Sequence, residues 1–308
     1  MSTIMGSKTK IIGPEISIVI PARNEESHIG DTLEAIFNQE IADRFEVIVI
    51  DSGSQDRTIQ VVKKFPTVRL TGIKPAEFGH GKTRNLAMRL AQGQYVVLIN
   101  ADALPVNNRW LHFLVDSLKG DPRVAGVYSR HLPRQDCPLY MVRDLWCTMN
   151  CKRREKTGAS RCDSMIFSTV SAAVRKTAWE KIPFDDSIDI AEDQVWARQA
   201  IAGGYKIIYE PESLVFHSHT YTLGQLYQSK YRIGRATSRF KNRFSALFLG
   251  FMLALGGTLF KVTGDLIFIL LRNPYSLPLG KRSKEFGLAV AARTVSFWAR
   301  YRGWLSRR

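Results

Sequence analysis

Asp51 closes the apolar run Val47–Ile50 and is followed by Ser52, Gly53 and Ser54. A carboxylate at the end of a buried strand can accept hydrogen bonds from a nucleobase imide or a ribose hydroxyl, or it can tie its own loop. Asp56 reads as the cap of the next helix. Asn100-Ala101-Asp102 ends the most hydrophobic run, Tyr95–Ile99. Asp102 suits a divalent cation, because hard cations take oxygen ligands and Mg²⁺ needs only one or two carboxylates beside phosphates. The plainer reading is a turn residue. Glu192 and Asp193 open a helical stretch, where the positive end of the peptide dipole favours carboxylates. Adjacent acids in a cleft can also supply a general base. His217 and His219 alternate along an extended segment, so one imidazole can complete a metal site or touch a phosphate. Cys147 and Cys151 have helical spacing with Cys162 nearby, but a zinc site lacks a fourth ligand at a credible distance in sequence.

Some chemistries are excluded. The turn after the first apolar run is Pro21-Ala-Arg-Asn-Glu25, with no G-x-G-x-x-G, so a dinucleotide fold does not fit. Gly81-Lys82-Thr83 lacks the upstream glycine of a phosphate-cradling loop. No apolar leader follows the start, and four cysteines are too few for a disulfide scaffold, so the expected compartment is cytosolic, with reduced thiols.

The elements that must place these residues follow from pattern. Ile16–Ile20, Val47–Ile50, Val68–Thr71, Tyr95–Ile99 and Val124–Tyr128 read as strands. Helical spacing runs through 25–38, 56–65, 81–93 and 107–119 between them. Continuous apolar strands alternating with helices predict a mainly parallel α/β sheet, covered on both faces. Its ligands belong at the carboxyl ends of the strands, where the acids above lie. Beyond residue 130 the pattern loosens. A helix is expected over 137–150, a basic loop over 151–163, a strand over 165–174 and a helix over 190–202. Short strands are expected at 206–209 and 214–216.

The net charge of +16 is unevenly placed. Residues 1–212 hold 28 basic and 26 acidic residues, while residues 213–308 hold 16 basic against only Asp265 and Glu285. Arg232, Arg235, Arg239 and Arg243 share one helical face. Phe244–Phe260 then runs 17 residues without a charge. As a helix that is ~26 Å, short of the ~30 Å hydrocarbon core. Basic and aromatic residues flank it, which favours a helix lying on an anionic membrane over a spanning segment or a core helix. The expected organisation is a flexible 1–14, a catalytic domain at 15–240 and a basic, apolar helical membrane-associating region at 241–308.

Taken in order, Ile18-Val-Ile-Pro-Ala-Arg-Asn-Glu25, Val49-Ile-Asp-Ser-Gly-Ser54, Gly81-Lys-Thr-Arg-Asn85, Asn100-Ala-Asp102, Ala191-Glu-Asp-Gln194 and His217-Ser-His219 resemble the family 2 glycosyltransferases of the GT-A fold over residues 15–240. Phe78–Asn85 followed by Asn100–Pro105 looks most like bacterial rhamnosyltransferases, although Asn100 replaces the first acid of the commoner Asp-x-Asp. The resemblance implies an inverting transferase. It would move a sugar, with rhamnose a candidate, from a dTDP- or UDP-sugar to a saccharide or lipid-linked acceptor in cell-surface polysaccharide synthesis, working at the inner face of the cell membrane. Pro21, Arg23, Glu25, Asp51 and Ser52 would line the nucleoside pocket, with Lys82, Arg84, Asn85 and Asn100 toward the diphosphate. Asp102 would hold Mg²⁺ or Mn²⁺, with His219 a further ligand and His217 beside it. Asp193, aided by Glu192, would be the base. Trp196 would stack on a sugar or pack in the core, and Lys152–Lys156 would meet a lipid diphosphate or form a solvated loop. Competing readings are a nucleic-acid binder using the basic C-terminus, which lacks a recognition motif, and a processive synthase, from which Gln228-Ser-Lys-Tyr-Arg232 departs in spacing and in lacking Trp.

Overall fold

The computed structural model describes residues 13–158, 167–188, 190–237, 249–272, 274–275 and 277–306. Most of the expected flexible lead-in, Cys162, Arg239, Arg243 and residues 244–248 lie outside them. The chain opens with β1 (Ile16–Ala22), α1 (Ile29–Phe37), β2 (Phe45–Asp51), α2 (Thr58–Val62), β3 (Val68–Gly72), α3 (His80–Leu90), β4 (Tyr95–Ile99), β5 (Leu104–Pro105), α4 (Trp110–Gly120) and β6 (Val124–Leu132). There follow α5 (Leu139–Thr148), β7 (Arg154–Lys156), β8 (Ser171–Arg175), α6 (Lys176–Lys181), α7 (Glu192–Ala202) and β9 (Lys206–Phe216). The helices α8 (Leu223–Thr237), α9 (Leu249–Ile267) and α10 (Leu279–Leu305) end the chain.

The strands form one sheet in the order β3-β2-β1-β4-β8-β6-β9-β5, with β7 also on β9. β1 is parallel to both β2 and β4, and β2 to β3. β8 runs antiparallel between β4 and β6, and β6 is parallel to β9. Six strands therefore point one way, and their carboxyl ends share one edge. β1 is buried on both faces because helices cover both. Ile16, Ile18 and Ile20 pack with Leu33 of α1 and Trp110 and Leu114 of α4. Val19, Ile48 and Leu98 face Met88 of α3 and Trp196 of α7.

The second half differs from expectation in three places. Lys206–Phe216 is one strand, not two, with an irregular register between Glu210 and Leu214 where Pro211 lies. The basic run at 152–156 is not all loop. It supplies β7, with Arg153 paired to Glu155 and Glu210 and Arg154 stacked 4.5 Å over the Tyr209 ring. Residues 167–170 form no strand, and β8 begins only at Ser171.

The C-terminal helices form a second layer around Leu139, Val142, Leu226, Phe268, Ile269 and Ala292. α9 continues past the end of the uncharged run, through Lys261 and Asp265. The continuation is possible because Asp265, fully buried, meets Arg143 at 3.0 Å and Arg293 at 2.7 Å. Among the described residues no helix is long and apolar enough to cross a membrane.

Candidate active site

The loops after β1 and β2 are stitched into one wall at the sheet's carboxyl edge. Asn24 adopts a left-handed conformation (φ 55°), accepts from the Gln55 amide at 2.8 Å and donates its own N–H to Ser54 Oγ at 2.9 Å. The Glu25 amide donates to Thr58 Oγ1 at 2.7 Å. Asp51 is buried; its Oδ2 accepts the amides of Gly53 (2.9 Å) and Ser54 (3.0 Å), and the Ser54 hydroxyl donates to Oδ1. Gly53 makes this turn at φ 85°, where a side chain would be strained. The Ser52 amide and hydroxyl both donate to the Ala22 carbonyl, at 3.0 and 3.2 Å. Asp51 and Ser52 thus hold the shape of this wall, of which Pro21 and Glu25 are half-buried members and Arg23 an exposed one.

Facing it, β4 ends in Asn100 and Asp102. The Asn100 amide donates to the Val170 carbonyl at 2.9 Å, fixing the turn, and Arg134 Nη2 donates to the Asp102 carbonyl. The Asp102 carboxylate lies 3.6 Å from His217 Nε2 and 3.8 Å from His219 Nδ1. One ligand atom from each of these three residues lies within 4.8 Å of the others. Burial pushes His217 down to about 4 against the pull of Asp102, with His219 and Arg134 adding to the depression. Burial also lowers His219. Both imidazoles are therefore neutral at pH 7, the form that binds metals. His217 Nε2 is buried without a hydrogen-bond partner. A buried polar atom left unpaired is costly, and a cation would complete it. Glu25, paired with His28 at 3.2 Å, stands near enough to Asp102 to feel its charge. Burial raises its pKa, and the neighbouring Asp102 charge raises it further.

Asp193 sits in the first turn of α7, after Ala191 in a left-handed conformation (φ 67°) that a non-glycine residue adopts only under constraint. Its Oδ1 accepts the Gln194 amide at 2.7 Å and Oδ2 the Thr169 amide at 3.3 Å. Thr169 adjoins Val170, the residue that fixes Asn100, so α7 and the end of β4 meet at one place. Burial pushes Asp193 up to about 6, the Glu192 charge adds to the rise, and Arg84 opposes it. Glu192 itself is paired with Arg84 at 2.6 Å in a buried contact that ties α3 to α7.

Two predicted site residues, Asn85 and Trp196, take other positions. The Asn85 amide is fully occupied by protein. Its nitrogen donates to the Phe184 carbonyl (2.8 Å) and Asp186 (2.6 Å), and its oxygen accepts from Trp179 Nε1 (2.7 Å) and the Phe184 amide (3.1 Å). Asn85 therefore anchors the 184–186 turn, on which Gly81 also packs; a Cβ at Gly81 would come 2.4 Å from the Asp185 carbonyl oxygen. Trp196 is 0% exposed, donates to the Ile182 carbonyl at 2.7 Å and packs on Phe167 and Phe184, which corrects the stacking reading. Lys82 is exposed on α3. Two residues that spacing did not single out join the site. Arg134 clamps Asp102, and the buried His131 ring stands edge-on to His217 at 5.5 Å. The signal for His131 lies in β-pairing, since it neighbours Val215 across the β6–β9 ladder.

The model for Glycosyl transferase family 2 matches residues 17–182. The chain is 30% identical over 226 residues to the O-antigen chain rhamnosyltransferase RfbN of Salmonella typhimurium, covering 71% of each chain. It is equally 30% identical over 227 residues to WbaN of Salmonella anatum, also an O-antigen chain rhamnosyltransferase, covering 72% of this chain and 71% of the relative. Among solved structures, it superposes on the mannosyltransferase PcManGT of Pyrobaculum calidifontis, solved with GDP-Man and Mn²⁺, with a TM-score of 0.61 and 22% identity over 93% of this chain and 86% of that one. It also superposes on residues 1–349 of S. aureus TarS in complex with UDP, with a TM-score of 0.55 and 18% identity over 95% and 90% of the two chains. The curled, mainly parallel sheet is that of the GT-A fold. With its strand-end acids gathered as described and more than half its length matched, this chain belongs to glycosyl transferase family 2.

Proposed function

We propose that the chain is an inverting, metal-dependent transferase that moves a sugar, rhamnose in the reading favoured by its relatives, from a dTDP- or UDP-sugar to a saccharide or lipid-linked acceptor in cell-surface polysaccharide synthesis. The observation that carries this reading is the convergence of Asp102, His217 and His219 beside Glu25, on the sheet edge that also presents Asp193. Asp102, His217 and His219 would hold the cation, and the orphaned His217 Nε2 fits that use. When bound there, a divalent cation neutralises the charge that develops on a leaving diphosphate. Two imidazoles beside one carboxylate favour Mn²⁺ over Mg²⁺.

Asp193 serves as the base. It takes the proton from an acceptor hydroxyl as that oxygen attacks the anomeric carbon, while the bond from that carbon to the diphosphate breaks on the opposite side. One such displacement inverts the anomeric configuration. Glu192 acts through charge, raising the proton affinity of Asp193, and Arg84 restrains Glu192. The wall formed by Pro21, Arg23, Glu25, Asp51 and Ser52 receives the nucleoside, and Lys82 and Asn100 lie toward the diphosphate.

The helical layer seats the protein on the anionic cytoplasmic leaflet. Leu259, Phe260, Ile267, Leu271 and Leu279 are exposed on α9, the turn after it and the start of α10, in the third of the chain that holds 16 basic residues against two acids. Exposed apolar side chains backed by positive charge favour such a surface.

The test is transfer with purified protein, a panel of dTDP-, UDP- and GDP-sugars, and Mn²⁺ or Mg²⁺, with the product anomer read by NMR. One donor should react, with Mn²⁺ supporting at least severalfold more turnover than Mg²⁺ and the anomer inverted. A retained anomer would contradict the single displacement.

A further inference from the structure

The turn after β6 is fastened to the segment after β9. Pro133 has no N–H with which to continue the ladder, and the last rung runs from the His217 amide to the Leu132 carbonyl at 3.0 Å. Beyond it the contacts pass to side chains. The Arg134 amide donates to Ser218 Oγ at 3.0 Å, and Thr220 Oγ1 donates to Asp136 Oδ2 at 2.9 Å. The Arg134 carbonyl accepts the Cys137 amide at 3.1 Å, which closes the turn. Both backbone polar groups of Arg134 are therefore held, one of them by the residue between His217 and His219.

The side chain reaches the third member of that group. Arg134 Nη2 donates to the Asp102 carbonyl, on the same residue whose carboxylate lies 3.6 Å from His217 Nε2. The guanidinium is thus fixed at its root beside β9 and at its head by the end of β4, within one residue's span of the candidate cation ligands. It is oriented without being saturated. Among the described residues no carboxylate pairs with Arg134, and no other acceptor takes the remaining donors of its guanidinium. The residue is half-buried, so those donors stay open to a ligand.

Charge and shape indicate which ligand fits. A guanidinium is a rigid fork that suits the oxygens of a phosphate, and one neutral carbonyl leaves most of that fork unused. Asp102 cancels half the charge of a divalent cation, and neutral imidazoles cancel none. A diphosphate carries more negative charge than the remainder offsets. Arginine supplies a further positive charge at every working pH. Because the side chain is already oriented, little freedom is lost when the anion arrives.

We propose that Arg134 grips the diphosphate of the sugar nucleotide, donating to its phosphate oxygens beside the Asp102–His217–His219 group. This deepens the transferase reading by naming a further donor contact, and rests on that reading for the identity of the anion. As the bond from the anomeric carbon breaks, its electron pair stays on the diphosphate oxygen, and the oriented guanidinium offsets the added charge.

The test compares the parent with Arg134→Gln and Arg134→Lys, each as the full chain, with a thermal melt to check that the fold is kept. Calorimetry reads the binding of UDP, dTDP and methylenediphosphonate, a diphosphate mimic with no nucleoside, all with Mn²⁺. The electron paramagnetic resonance signal of free Mn²⁺ reads the affinity for the metal alone. Arg134→Gln should bind the preferred nucleotide and the mimic at least tenfold more weakly while its Mn²⁺ affinity stays within threefold. Arg134→Lys, which keeps the charge but not the fork, should lose at least threefold and less than Arg134→Gln. Should Arg134→Gln fail to fold, the same threefold loss in Arg134→Lys upholds the grip, and an unchanged affinity overturns it. Equal diphosphate affinity in the parent and Arg134→Gln would overturn the proposal. So would a loss of Mn²⁺ affinity as large as the loss of diphosphate affinity, because Arg134 would then only position Asp102. A parent that binds the mimic through Arg134 but neither nucleotide would refute the transferase reading and leave the diphosphate grip standing.

Discussion

Replacing Asp193 with Asn is expected to lower sugar transfer by about a thousandfold, within the usual worth of a positioned general base, while donor affinity changes by less than threefold. The two side chains are nearly isosteric, and the single Asn oxygen can keep one of the two backbone amides, of Thr169 and Gln194, that orient the carboxylate. What is lost is the capacity to take a proton. The buried Arg84–Glu192 pair remains, so the start of α7 keeps its place. The same residue sets the pH dependence. Burial, with Glu192, holds Asp193 up at about 6, so the working carboxylate is protonated below that pH. Parent kcat/KM should therefore climb through pH 6 and level off above it. The stability effect has the opposite sign. A carboxyl whose folded value lies above its unfolded one favours the fold below its unfolded value and loses that favour as pH rises through the folded one. At pH 7.5 the neutral Asn should raise the melting temperature of an inactive enzyme. Turnover within tenfold of the parent would remove Asp193 as the base.

Asp265→Ala should cost about 3–5 kcal/mol of stability, the range for removing one partner of a buried ion pair. Asp265 has no exposed surface and accepts from Arg143 and from two nitrogens of Arg293, at 3.0, 2.7 and 2.9 Å. Its loss leaves two guanidinium groups facing a single carboxylate, Asp144, between three helices. Urea denaturation followed by circular dichroism reads the cost. Hydrogen exchange should show the opening to be largest in α9 and α10, because the sheet's two cores are built from other residues. A midpoint unchanged within error would mean that packing alone holds the layer.

The sheet was legible because its strands are buried on both faces. Ile16–Ile20 and Tyr95–Ile99 carry no polar alternation that could be mistaken for a surface strand, and each ends where a turn residue or an acid begins. β7 was illegible because Arg154–Lys156 is polar and lies on β9 only through tertiary pairing and the stacking of Arg154 on Tyr209. The burial of Asp265 inside α9 was illegible because its partners, Arg143 and Arg293, lie 122 and 28 residues away. At the site, residue types made Asp102, His217 and His219 candidate metal ligands, and the structure brings these three together. The occupation of Asn85 by the 184–186 turn could not be read, because hydrogen bonds across about a hundred residues leave no local spacing. Trp196 carried a usable signal: it lies four residues from both Glu192 and Ala200, the buried stripe of α7.

The most direct test of the account is calorimetric titration of UDP and dTDP into the parent and into Asp102→Ala, each with and without Mn²⁺. The account predicts that Mn²⁺ strengthens binding of one of the two nucleotides to the parent at least tenfold and that Asp102→Ala abolishes this gain while keeping the parent's melting profile. Nucleotide affinity indifferent to Mn²⁺ in the parent, or an undiminished gain in Asp102→Ala, would contradict it.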